Sequence, residues 1–284
     1  MVPAEQRAIF ATASKRCLEN IAWCVKFFSP LSILFLASTA LGQGLIYEGS
    51  STIGENIMPE AVKVFEARTG IKFTRVGLLG SGKGFKAVME GRASVAGMSR
   101  SLKRKEKRKK PYYQIIGYDA MAVFVNANNP IRNLSKEQIK QIFTGEITNW
   151  KEVGGRDAPI VVVTEIKTGG RATIAAFKKA ILGGASFGPS KEIDKPVDCV
   201  RYVAQDENAI THASLAFNMP GVVPIAIDNI KPSLEKVKSG RYPLSRPLLL
   251  VSKGLPQGEL KQFFQFMLSD EGQAIVKKHF VPVR

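Results

Sequence analysis

Histidine and cysteine are scarce in this chain, and their scarcity removes much of the usual catalytic and metal chemistry. Of 284 residues, two are histidine and three are cysteine. His212 and His279 stand in no metal-ligand spacing with each other or with Cys199, so the sequence encodes no zinc-type cluster. Cys17 and Cys24 fall within the first 42 residues. Cys199 is the only cysteine beyond them, which excludes an internal disulfide there. Beyond the first 42 residues no apolar run approaches the ~18–20 residues that a membrane-spanning helix needs. Acidic residues are also few, 24 against 41 basic ones. Internal repeats and low-complexity tracts are absent.

What is present begins with a leader. Residues 1–29 carry Arg7, Lys15, Arg16 and Lys26 against Glu5 and Glu19. An apolar stretch, Leu31 to Ala37, follows, and then the small residues Ser38, Thr39, Ala40 and Gly42. A basic start, a short apolar centre and a small-residue end describe a secretory signal, here residues 1–42. The formal charge is +17, and the leader accounts for only +2 of it. The remainder therefore attracts anions. Hydrophobic residues make up 45%, enough for a globular core.

The rest of the chain alternates strand-like and helix-like segments, which predicts an α/β fold. Short apolar runs predict strands at 45–47, 71–76, 95–98, 120–125, 160–163 and 248–251. Helical spacing predicts helices at 58–69, 84–90, 171–182, 257–268 and 270–278. Ser135 and Gln138 form a capping box for a further helix reaching Phe143, with Gly145 closing it. Ser269 is a cap between the last two helices.

Three loops of small and hydroxylated residues each lie between a strand and a helix: Gly49–Gly54, Gly77–Gly84 and Thr168–Arg171. A helix start leaves backbone N–H groups unpaired and carries partial positive charge. Small residues let an oxyanion approach those groups, so three such loops point to oxyanion binding. The second loop matches most of a nucleotide-cradling motif, but Gly84 stands where Ser or Thr would hold Mg²⁺. Lys103–Lys110 holds seven basic residues in eight and reads as a solvated surface. No aromatic residues interleave with it, so no nucleic-acid platform is expected. Asp119 reads as a residue that fixes neighbouring backbone rather than as a catalytic acid.

In this order the loops resemble those of the phosphate-binding proteins of bacterial ABC importers. The resemblance covers residues 45–284 and is sharpest at Ile142–Trp150, Tyr242–Leu248 and Leu268–Gln273, with Asp119 and Asn126–Pro130 also fitting. It implies a two-lobed type II periplasmic-binding-protein fold with the ligand in the cleft between lobes. Lobe 1 would take residues 43–118 plus 222–284, and lobe 2 residues 119–221. The resemblance further implies ligand contacts at Ser51, Thr52, Ile53 and Ser81, and at Thr168, Gly169 and Gly170 in the second lobe. Many relatives place an aspartate after the third strand. Here Ser99 and Arg100 stand in that segment, making Ser99 a contact and Arg100 a source of charge. The second-lobe arginine of the family is missing: Thr164 or Glu165 takes its place. A late Gly-Tyr reads Thr211-His212.

The implied protein is a monomeric periplasmic receptor. It takes inorganic phosphate or a similar oxyanion to an inner-membrane ABC permease, without a cofactor and without catalysis. The alternative is a degenerate member serving as a sensor or adhesion module.

Overall fold

The computed structural model describes residues 44–168 and 170–284. The leader lies outside them. Among the described residues no helix is long and apolar enough to cross a membrane.

The fold is α/β and has two lobes. Strand β1 (Leu45–Gly49) runs parallel to β2 (Phe73–Gly77) on one side and to β3 (Val95–Met98) on the other. Strand β4 (Tyr112–Asn126) is fifteen residues long. It continues past a short β5 (Asn133–Leu134) to the second lobe, where β6 (Val161–Glu165) runs parallel to β7 (Lys191–Ile193) and to β8 (Ala209–Ser214). Then come β9 (Val222–Pro224), β10 (Ala226–Ile227), β11 (Ser245–Ser252) and the terminal β12 (Val281–Pro282). The main path is β2-β1-β3-β11-β4-β8-β6-β7.

The long strand joins the lobes. Residues 112–120 of β4 pair with β11, and residues 121–125 pair with β8. The cores divide at the same place. Tyr47, Phe65, Ile116, Leu248 and Phe263 pack in one cluster, while Val123, Phe143, Trp150, Phe177 and Ile210 pack in another. Ile225, Ile227, Val237, Tyr242 and Leu244 pack with the second cluster.

Most elements fall where the sequence places them, for local reasons. Helix Met58–Thr69 has Pro59 in its first turn and ends at Gly70, whose φ of 74° is left-handed. The Gly70 N–H reaches back to the Glu66 carbonyl at 2.9 Å, the usual glycine stop. Ser135 accepts from the Gln138 N–H while Gln138 accepts from the Ser135 N–H, completing the capping box. Ser269 caps helix Asp270–Lys277 through the Gly272 N–H.

Two glycines let the site form. A Cβ on Gly84 would sit 2.5 Å from the Gly49 Cα. Helix Ser81–Met89 therefore lies directly on the end of β1. Gly49 itself has φ 143°, and its Cβ would meet the Gly97 carbonyl at 2.3 Å. Only glycine suits either position.

Candidate functional site: a hydroxyl-lined cleft between the lobes

The ends of β1, β3 and β6 and the starts of the helices that follow β1, β2 and β6 converge on one small cleft. It is lined by Ser50, Ser51, Thr52, Gly80, Ser81 and Ser99 from one side, and by Glu165, Arg171, Ala172 and Thr173 from the other. Ser51, Thr52, Ser81 and Ser99 are thus brought together as the sequence implied.

Hydrogen bonds fix the first wall. The Ser50 hydroxyl donates to Ser99 Oγ at 2.9 Å, and the Ser99 N–H donates to Ser81 Oγ at 3.2 Å. Ser50 also accepts from the Ile53 N–H at 3.4 Å. Ile53 is fully buried, and its N–H is already engaged, so it serves the core rather than the cleft.

Three α-helices begin at the cleft: Ser51–Asn56, Ser81–Met89 and Ala172–Ala180. None has an acidic residue in its first turn. Every other α-helix among the described residues has one there: Glu60, Glu106, Glu137, Asp198, Glu235, Glu259 and Asp270. An acid in the first turn offsets the positive helix end. At this cleft alone that offset is missing. Gly80 and Arg171, which cap the two longer helices, also supply no side-chain hydrogen bond to the helix start. The first-turn N–H groups of these two helices thus have no side-chain cap.

Behind the cleft lies a buried cation that the sequence reading did not single out. Arg246 is paired with Asp119, Nε to Oδ2 at 2.8 Å, and both side chains are at most 3% exposed. The two stand opposite each other where β11 and β4 leave the first lobe. The guanidinium also donates to Thr52 Oγ1 at 3.1 Å and to Thr173 Oγ1 at 3.2 Å. One side chain therefore orients a hydroxyl on each wall. Asp119 accepts from the Ser214 hydroxyl at 2.6 Å, so its partners are side chains and not neighbouring backbone, which corrects the sequence reading. Burial pushes the Asp119 carboxyl above its ordinary range, and Arg246 and Ser214 oppose that rise.

Three expected contacts stand elsewhere. The guanidinium of Arg100 forms a buried two-point pair with Glu106, both bonds 2.7 Å, and does not line the cleft. That pair pins the basic 103–110 tract to the first lobe, with Glu106 buried and its basic neighbours outward. Thr168 is exposed and Gly170 lies beside Gly82; neither lines the cleft. Gly169 lies outside the described residues. The wall is built three residues later, from Arg171, Ala172 and Thr173, because the helix begins only at Ala172. Free N–H groups belong to the first helical turn, so the helix start was the signal to follow.

Arg171 lies against Gly80 and pairs with Asp194. His212 is not in the cleft. It is fully buried and stacks on Phe177, with ring centres 3.9 Å apart. Among the described residues neither ring nitrogen has a partner. Burial first, and Arg246 second, push its pKa down to about 3. A Gly-x-Ser-x-Gly pattern occurs at Gly184–Gly188, but it lies in coil after a helix, and Ser186 is exposed. A nucleophile elbow needs a strand-to-helix turn.

The family described as the PBP superfamily domain matches residues 37–271, most of the chain. The chain belongs to this superfamily. Among its relatives is the phosphate-binding protein PstS of Bacillus subtilis, 28% identical over 244 residues, covering 84% of this chain and 80% of the relative. A phosphate-bound crystal structure of a phosphate ABC transporter substrate-binding protein from Clostridium perfringens is 33% identical. It superposes with a TM-score of 0.79, covering 85% of this chain and all of that one. An ABC-type phosphate transport receptor from Vibrio cholerae shares the fold at 24% identity, TM-score 0.70, over 84% of this chain and 99% of that one. The relatives of this superfamily member are binding proteins, and the resemblance drawn from the loop motifs holds.

Proposed function

We propose that this chain is an exported receptor that holds phosphate, or a closely related tetrahedral oxyanion, in the cleft and passes it to an ABC permease. The observation that carries the reading is the set of three helix starts without first-turn acids, all at one hydroxyl-lined cleft. An anion there completes what those helices lack. The named relatives above bind phosphate and agree with it. The hydroxyls and helix starts of the cleft are in place, which counts against a degenerate sensor or adhesion module. The ligand contacts in this reading are Ser51, Thr52, Ser81, Ser99, Arg171 and Thr173. Arg246 stands behind them in place of the missing family arginine.

The lobes in this reading are residues 43–118 with 245–284, and residues 119–244. The second boundary follows the packing of Tyr242 and Leu244. Closure is a hinge motion about the crossings near Asp119 and Arg246. Residues 1–42 act as the export signal, the protein works as a monomer, and it needs neither cofactor nor nucleic acid.

Calorimetric titration with phosphate tests the reading. The protein binds phosphate, and Thr52→Ala or Ser81→Ala each weakens binding by roughly ten- to a hundredfold, the worth of one hydrogen bond to a charged ligand. Absence of binding at millimolar phosphate contradicts it.

A further inference from the structure

One face of the first lobe carries positive charge that its neighbours do not balance. All seven basic residues of tract 103–110 are exposed, and the one acid among them, Glu106, is buried. Glu106 is engaged inside the lobe. It accepts two bonds from Arg100 and a third, at 2.7 Å, from the Lys103 N–H. Among the described residues the Arg100–Glu106 pair is the only ion pair that touches the tract. Glu90, whose charge Lys109 also feels, is held by Arg92. Lys83 of helix Ser81–Met89 lines a groove with Lys103, Lys105 and Lys109, and Phe85 lines it too. Like charges stand four positions apart at Lys103 and Lys107 and at Arg104 and Arg108, which destabilises a helix. The short helix Arg104–Lys107 forms nonetheless, because Glu106 anchors its inner side. The fold therefore holds these cations outward at a cost.

Apolar side chains border the same charge. Tyr113 is 46% exposed and Leu255 69%. Tyr112 pairs with Ser252 and Tyr113 with Val251. The turn Lys253–Leu255 thus leaves the sheet where the tract enters it, and Lys253 adds a further exposed cation there. Cations around exposed Tyr and Leu suit a bilayer surface. The cations meet headgroup phosphates, and the apolar tips reach the acyl boundary. Five of the seven basic residues are lysines. Lysine is a flexible point charge without a fixed fork, which fits fluid headgroups better than a set of placed carboxylates.

We propose that this face is a docking surface for an anionic lipid bilayer, with tract 103–110, Lys83 and Lys253 on the headgroups and Leu255 and Tyr113 at the interface. Each cation near such a surface contributes about a factor of five in affinity. The groove reaches Gly82 and Gly170, next to the cleft-lining Ser81 and Arg171. Docking therefore sets the cleft close to the membrane. The inference does not depend on which anion the cleft holds.

Vesicle sedimentation tests it, on the protein without residues 1–42, since residues 43–284 form one compact unit. The vesicles are phosphatidylcholine alone, or phosphatidylcholine with about 30% phosphatidylglycerol. The protein sediments with the phosphatidylglycerol vesicles only, and about 0.5 M NaCl releases it. Lys103→Gln, Lys105→Gln, Lys107→Gln and Lys109→Gln together weaken vesicle binding at least about a hundredfold, as four cations at about fivefold each require. The circular dichroism and phosphate affinity of that variant match the wild type. Leu255→Ser weakens vesicle binding about fivefold and leaves its salt dependence unchanged. Equal binding to both vesicle types overturns the proposal, as does wild-type binding by either variant. Capture by polyglutamate without binding to vesicles also overturns it and makes the partner an acidic protein. A wild type that binds the vesicles but not phosphate overturns only the receptor reading.

Discussion

Arg246→Met lowers the folding stability of this protein by about 3–5 kcal/mol and weakens phosphate binding at least a hundredfold. The stability loss comes from Asp119. Its carboxylate is 1% exposed and, among the described residues, keeps only the Ser214 hydroxyl once the guanidinium is gone. Breaking one partner out of a buried pair is far worse than removing the pair, because the remaining charge has no solvent to turn to. The affinity loss has a different origin. Arg246 holds Thr52 Oγ1 and Thr173 Oγ1, one on each wall of the cleft. Without it both hydroxyls lose their fixed direction, and a buried positive charge behind the ligand's dianion disappears.

The two effects separate in the double variant. Asp119→Asn with Arg246→Met regains much of the stability, since no unpaired charge stays buried, yet it does not regain affinity. Urea denaturation and calorimetry read the two quantities. A stability loss below about 1 kcal/mol in Arg246→Met would mean that the pair is hydrated and that its burial is misjudged.

The second large effect is an acid sensitivity set by His212. Its pKa is about 3 in the folded protein against an ordinary 6.5. The sign follows from proton binding. Below pH 6.5 the unfolded chain takes up a proton at His212 and the folded protein does not. Stability is therefore full above about pH 6.5 and falls as the pH drops toward 3. Each unit costs about 1.4 kcal/mol, so the loss attributable to this one residue at pH 4 is roughly 3 kcal/mol. Asp119 and Glu165 act in the opposite sense, since burial raises both carboxyls. The comparison with a variant isolates the histidine. His212→Phe keeps an aromatic ring against Phe177 and Phe143 and removes the titration. Its stability between pH 7 and pH 4 falls by roughly 3 kcal/mol less than that of the wild type. Parallel pH profiles for the two proteins would show that His212 reaches solvent or finds a partner when protonated.

The sequence carries the local rules of this fold more fully than its long-range pairings. Gly70, Ser135 with Gln138, and Ser269 act on their own neighbours, so their helix boundaries can be read directly. The short strand Val95–Met98 is uniformly apolar and stands where it was expected. Strand β4 is different. Its apolar half, Ala120–Val125, was legible, but Tyr112–Asp119 mixes exposed and buried positions because β11, and not its own composition, holds it extended.

The candidate site divides in the same way. Ser51, Thr52 and Ser81 sit in loops that immediately precede or open a helix, so their place follows from sequence. The second wall shifted from residues 168–170 to 171–173, because a glycine-rich loop does not reveal where the next helix turn starts. Arg100 looked free in the sequence, and its partner Glu106 sits inside a tract of like charge that hides it. Arg246 could be found only through cross-strand register: it faces Asp119 from 127 positions away.

A crystal structure of the protein grown with phosphate tests the central claim most directly. The account predicts one phosphate in the cleft, within hydrogen-bonding distance of Thr52, Ser81, Ser99 and Thr173. A cleft left empty at saturating phosphate, with the anion held instead among Lys83, Lys103 and Lys109 of the neighbouring basic groove, would contradict it.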